Sequence, residues 1–175
     1  GADASGSRLP EGRYRARFST EYQNGNRPQA TSPEFTLDVT PPRATVRANF
    51  DAFSPNSDGN KDIITFQQET SAEQLWEGEI SKIGGDTVRT FTFRETADLT
   101  ISWDGRRSDG QLAEDGDYRY QLTATDRAGN TGSSEPVRFT LDTEEAEVLL
   151  SAEYDAFSPN ANDTRDRLQL FPQVQ

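Results

Sequence analysis

The sequence contains no cysteine, no histidine and no methionine. Without them the chain holds no disulfide, no thiolate or imidazole metal ligand, and neither a Cys/His nor a Ser/His catalytic pair. Apolar residues are scarce, at 31%, and no run approaches the roughly 18 consecutive apolar residues that a membrane-spanning helix needs. Positive charge is scarce too. Lys and Arg number 18 against 30 Asp and Glu, for a formal net charge of −12. Such a chain repels nucleic-acid backbones and anionic membranes and favours hard cations such as Ca²⁺. No signal peptide is visible, and a chain that opens on Gly1 rather than Met reads as a processed or excised segment.

What is present argues against disorder. Ten Phe, five Tyr and two Trp can build a narrow core beneath a polar skin, which is the balance of a small sandwich module. Alternation of period two runs throughout, with no helical period. Tyr118, Tyr120, Leu122 and Ala124 fall on one face of a strand, and Tyr14, Ala16 and Phe18 repeat that face near the start. LWEGEISKI (75–83) turns Trp76 and Ile80 inward, LTISW (99–103) turns Leu99, Ile101 and Trp103 inward, and PVRFTL (136–141) turns Val137, Phe139 and Leu141 inward. With 44–50, 62–67 and 87–93 this predicts about seven strands. Asp-Gly pairs at 58–59, 104–105, 109–110 and 115–116, and Gly84-Gly85, punctuate them as turns. The expected fold is all-β, an immunoglobulin-like antiparallel β-sandwich.

The sequence also repeats itself. DAFSPN at 51–56 returns at 155–160, FTLD at 35–38 returns at 139–142, and LPEGRYR (9–15) meets AEDGDYR (113–119), all at one gapless offset of 104 residues. That period suits one sandwich and is too long for a helical solenoid unit. Residues 1–45 then read as the C-terminal part of a preceding repeat, 46–143 as a complete one, and 144–175 as the N-terminal part of a following repeat. Neither flank carries a counterpart of about 72–104. The flanks would be incomplete, be completed by another chain, or pair with each other.

The stretch WDGRRSDGQLAEDGDYRYQLTATDRAGN (103–130) resembles the Ig-like domain of the flagellar hook-capping protein. FSPNSDGNKD (53–62) resembles the opening motif of repeated extracellular modules in spirochaetes and Bacteroidetes. TDRAGN followed by FTLDT is similar to the ends of bacterial Ig-like adhesin repeats, in which loops and linkers hold Ca²⁺. The resemblance implies a stalk, spacer or adhesive role at a bacterial cell surface, outside the cell or in the periplasm, and no catalysis. Its partners would be neighbouring Ig-like repeats, with a protein or glycan ligand bound through other parts of a longer protein; neither nucleic acid nor membrane insertion is expected.

Two sets of oxygen-bearing residues are candidate Ca²⁺ ligands. Asn56, Asp58, Asn60 and Asp62 alternate around Gly59 like the first half of an EF-hand loop, with Asp51 as a further ligand. The closing Glu of an EF-hand is missing, since Gln67 stands at that spacing and the nearest acid is Glu69. The competing reading is a turn held by side-chain-to-backbone hydrogen bonds. The copy, Asn160, Asn162, Asp163, Thr164 and Asp166, loses the carboxylate at the Asp58 position and the Gly. A weaker set is Asp126, Asn130 and Asp142, whose counterparts are Tyr22, Asn26 and Asp38.

Trp76 and Trp103 read as core rather than as a sugar-stacking platform, and the Arg13, Arg15 and Arg17 stripe as a solvated strand face. No carboxylate pair with glycosidase geometry can be singled out. Two other roles compete with the stalk. One is an accessory carbohydrate- or protein-binding module of a secreted enzyme, and the other an assembly subunit completed by strand exchange.

Overall fold

The computed structural model describes every residue except 1, 4, 146, 162–164 and 175. All regular elements among the described residues are strands, and none of the described chain forms a helix long and apolar enough to cross a membrane. Two compact units divide the chain, residues 1–142 and 143–175.

The first unit begins with two short ribbons. Strand β1 (Gly12–Tyr14) pairs with β4 (Phe35–Leu37), and β2 (Arg17–Ser19) pairs with β3 (Gln29–Thr31). Nine strands follow: β5 (Ala44–Ala48), β6 (Ala52–Phe53), β7 (Ile64–Thr70), β8 (Glu73–Lys82), β9 (Thr87–Glu95), β10 (Thr100–Trp103), β11 (Gly116–Thr125), β12 (Thr131–Ser133) and β13 (Val137–Leu141). They form two sheets. One has the order β10-β7-β5, the other β6-β13-β11-β8-β9, with β12 also on β11. Two of these strands, β6 and β12, are too short to announce themselves by alternation. The sandwich is also not wholly antiparallel, because β6 runs parallel to β13 with Leu141 beside Phe53.

Aromatic rings fill the space between the sheets. Phe66 on one sheet lies 4.6 Å from Tyr120 and 5.3 Å from Phe139 on the other, centroid to centroid. Trp103 packs 5.5 Å from Tyr118, 5.8 Å from Phe139 and 5.5 Å from Phe53. Gly78 makes room for this packing, since a Cβ there would overlap the Tyr120 hydroxyl. That hydroxyl donates to the buried Gln68 Oε1 at 2.9 Å. Tyr118 donates its hydroxyl to the Glu114 carbonyl at 2.6 Å, a tyrosine corner that fixes where β11 begins.

Three inward assignments fail, those of Leu99, Ala16 and Phe18, all of which are exposed. Leu99 is 74% exposed, because pairing of β10 starts one residue later, at Thr100 opposite Gln67. Ala97, tied through its N–H to Thr70 Oγ1, takes the interior place before the strand. Phe18 is 69% exposed, whereas Leu122, 104 residues on, is fully buried. Among the described residues the β2–β3 ribbon has no second sheet over it.

The repeat is present in three dimensions. Gly12 faces Leu37 and Tyr14 faces Phe35, as Gly116 faces Leu141 and Tyr118 faces Phe139. Tyr14 donates to the Pro10 carbonyl at 2.6 Å, the bond that Tyr118 makes to Glu114. In the second unit β14 (Val148–Ala152) pairs with β15 (Leu170–Val174), Val148 facing Val174 as Ala44 faces Thr70.

Trp103→Ala is expected to lower unfolding free energy by about 3–5 kcal/mol. Tyr118→Phe, which removes only the corner hydrogen bond, should cost about 0.5–1.5 kcal/mol. Urea denaturation followed by the fluorescence of the remaining Trp76 checks the first, and of both tryptophans the second.

Candidate functional site

Two places collect the oxygen-bearing side chains singled out by spacing. The first is the loop between β6 and β7. Pro55 and Asn56 turn the chain, and Asp62 draws it closed: Oδ1 accepts from Ser57 N–H at 2.6 Å and Oδ2 from Gly59 N–H at 2.8 Å. Asn56 Oδ1 accepts from Asp58 N–H at 3.1 Å, and Asp58 Oδ1 from Asn60 N–H at 2.7 Å. Asn56, Asp58, Asn60 and Asp62 therefore do share one loop, but the side-chain oxygens of Asn56, Asp58 and Asp62 point at the loop's own amides. Asp51 precedes the loop, its carbonyl accepting from Thr140 N–H where β6 meets β13. Among the described residues, no three acidic side chains converge so as to hold a metal ion.

Part of this arrangement recurs 104 residues on, among the described residues. Ala161 N–H donates to Asp166 Oδ1 at 3.0 Å, as Ser57 does to Asp62. Ser57 and Lys61 have left-handed backbone angles, φ 68° and 54°, and so do Ala161 and Arg165 at 60° and 53°. A left-handed non-glycine residue costs about 1–2 kcal/mol, which the captured amides offset. The basic side chain at the loop end also lies over an aromatic ring in both copies, Lys61 on Phe50 and Arg165 on Tyr154. Asn162, Asp163 and Thr164 lie outside the described residues. In both copies the aspartate at the end of the loop, Asp62 or Asp166, captures the amide five residues before it.

The second place is the turn between β11 and β12. Asp126 Oδ1 accepts from Ala128 N–H at 2.8 Å and Asn130 N–H at 2.9 Å, while Oδ2 accepts from the Asn130 amide at 2.8 Å. These bonds, the Asn130 side chain first, hold the Asp126 carboxyl below its ordinary pKa. Asp142 is not at this turn. It follows Leu141, which faces Gly116 at the start of β11, whereas Asp126 follows the last residue of that 10-residue strand, about 30 Å away. Asp38, 104 residues before Asp142 in the sequence, is the residue that comes here: Asn130 Nδ2 donates to the Asp38 carbonyl at 3.3 Å. The gapless offset held that signal, since it sets Asp142 against Asp38. A cleft of about 420 Å³ opens beside it, with Asp38, Glu73, Glu95, Asp126 and Arg127 on its walls.

Sequence patterning gave no warning of Glu11. Its Oε1 accepts from Val39 N–H at 2.8 Å and Thr40 Oγ1 at 2.7 Å, and the Thr40 hydroxyl above all keeps its pKa low. Both Trp side chains are buried, Trp76 at 0% and Trp103 at 2% exposure. Neither can serve as a platform for a sugar. Arg13 and Arg15 meet Glu34 at 3.3 and 3.7 Å, and Arg17 bonds Gln29, so the basic stripe is tied to its own ribbon.

Residues 51–128 match the FlgD Ig-like domain. The FlgD Ig-like match runs from the start of β6, through the loop closed by Asp62 and the Trp103 turn, into the turn begun by Asp126. Two solved structures are similar to the chain. One is dimeric latent PorU from Porphyromonas gingivalis, 17% identical with a TM-score of 0.46, over 79% of this chain and 13% of that one. The other is a tetra-tandem repeat in the extending region of a large adhesion protein, 20% identical with a TM-score of 0.45, over 95% of this chain and 46% of that one. The chain thus spans less than half the length of either. No curated protein matches it.

Asp62→Ala is expected to expose the Ser57 and Gly59 amides to hydrogen exchange, a local loss of about 1–3 kcal/mol. Asp58→Asn should leave those two amides protected. Because Asp126 and Glu11 have lowered pKa values in the folded chain, the stability they contribute is complete above the ordinary carboxylate range. It is lost as pH falls through their depressed values. In an NMR titration their midpoints should lie below those of exposed acids, and Val39 and Asn130 amide protection should fall with them.

Proposed function

We propose that this chain is a stretch of a non-catalytic, tandem-repeat protein of a bacterial surface or secretion, in which Ig-like modules serve as a stalk or spacer. Residues 1–45 are the end of one repeat, 46–143 a whole one and 144–175 the beginning of the next. The observation that carries this reading is the recurrence of strand register, corner hydrogen bond and loop conformation at one offset of 104 residues. Modules joined at a fixed offset by linkers of a few residues extend a chain while restricting its bending. The FlgD Ig-like match over 51–128 supports a sandwich module rather than an enzyme. An Ig-like sandwich offers loops and edges more than a deep cleft. The burial of both tryptophans speaks against an accessory sugar-binding module.

Calcium would add stiffness if the 51–62 loop took it up through Asn56, Asp58, Asn60, Asp62 and Asp51. That version rests on the ligand types alone, since the loop's own amides occupy several of those oxygens.

X-ray scattering on several consecutive repeats is expected to give a rod-like profile, and a freely jointed profile would sink the stalk. The melting temperature with and without calcium decides the metal version. A rise that grows with free calcium over its dissociation constant supports it, and an unchanged melting curve leaves only the turn.

A further inference from the structure

The six residues from Asp38 to Arg43 join the β1–β4 ribbon to β5, and the backbone donors from Val39 to Arg43 are all accounted for. Val39 N–H goes to Glu11, and Thr40 N–H to Asp38 Oδ1 at 3.0 Å. Pro41 and Pro42 have no N–H and fixed φ. Arg43 N–H goes to Ser71 Oγ at 3.0 Å, and Ser71 returns its own N–H to the Arg43 carbonyl at 2.8 Å. A connector of this kind ordinarily leaves donors to water; this one leaves none between 39 and 43.

The module meets the connector on a shaped surface. Asn130, aligned by two hydrogen bonds to Asp126, holds the Asp38 carbonyl. Two residues further, Gly132 lies against buried Pro42, so closely that a Cβ at 132 would stand 1.9 Å from the Pro42 carbonyl oxygen. Only glycine admits the linker at that approach. At the far end Ser71, which also accepts from Trp76 Nε1 at 2.9 Å, ties the linker to the core. Three separate contacts along six residues fix position and direction together.

We propose that the 126–132 turn of the complete repeat is a docking surface for the linker of the repeat before it, a latch that recognises an extended segment of the form Asp-x-Thr-Pro-Pro. Asn130 takes the first carbonyl, Gly132 admits the second proline, and Glu11 of the preceding repeat clamps the intervening amide. The latch rests on the stalk reading and supplies its stiffness from hydrogen bonds and close packing.

The test uses the whole 175-residue chain, which has no native cysteine to interfere. Thr36→Cys on β4 and Thr92→Cys on β9, both exposed, carry spin labels, and pulsed dipolar spectroscopy reads the distance distribution in excess calcium chelator. The expected parent distribution is a single narrow peak. Asn130→Ala and Gly132→Val should each lose that peak, while circular dichroism and the melting transition show the sandwich still folded. If Gly132→Val does not fold, Asn130→Ala, a side chain at the surface end of its turn, decides alone. A folded Asn130→Ala chain that keeps the narrow peak overturns the latch. So does a parent distribution that is broad in chelator and narrows only with calcium. The stalk is judged separately by scattering on several repeats: extended repeats with broad label distances sink the latch alone. Narrow distances with freely jointed repeats sink the stalk alone.

Discussion

Everything in the sandwich hangs on the contact between two faces lined with aromatic rings. Phe53, Phe66, Trp103, Tyr118, Tyr120 and Phe139 are each almost fully buried, and their stacking carries the attraction between a three-stranded and a larger sheet. Buried Ile64, Ile80, Leu122 and Leu141 fill in around the rings. The cost is stringency. Large rings tolerate few positions, so Gly78 must stay small beneath Tyr120, and the hydroxyls of Tyr118 and Tyr120 must find the Glu114 carbonyl and Gln68. The two ribbons at the start show what happens to the same pattern without the facing sheet. Phe35 and Phe18 occupy the places of Phe139 and Leu122, yet stand exposed.

Much of this was legible in the sequence because strand alternation is a local property. Tyr118 to Ala124 and Trp76 to Ile80 declare their buried faces without reference to anything distant. Leu99 misled for the same reason: parity says nothing about where a strand starts, and only pairing with β7 sets that point. Two-residue β6 has no periodicity to detect, and its parallel pairing depends on residues about 90 positions away.

The candidate sites divide along the same line. The loop closed by Asp62 is local, and both its composition and its turn character could be read from residues 56–62. The junction is not local. Asp126 and Asn130 were recognisable as a pair, but their third member is Asp38 rather than Asp142, because Asp142 follows Leu141 at the opposite end of β11 from the Asp126 turn. Glu11 left no pattern at all. An acid in a chain with 30 of them carries no mark until folding places it beside Val39 and Thr40.

The parallel pairing of β6 with β13 has a mechanical consequence. One strand belongs to the entry of the module and the other to its exit, and they run in the same direction. Tension on the chain therefore slides one past the other. The bonds from Thr140 N–H to the Asp51 carbonyl and from Asp142 N–H to the Phe53 carbonyl, 2.8 and 3.2 Å long, lie across that direction. They are loaded together, in shear, and cannot be peeled open one after another as the rungs of a hairpin can. A module stitched this way yields to force abruptly or not at all.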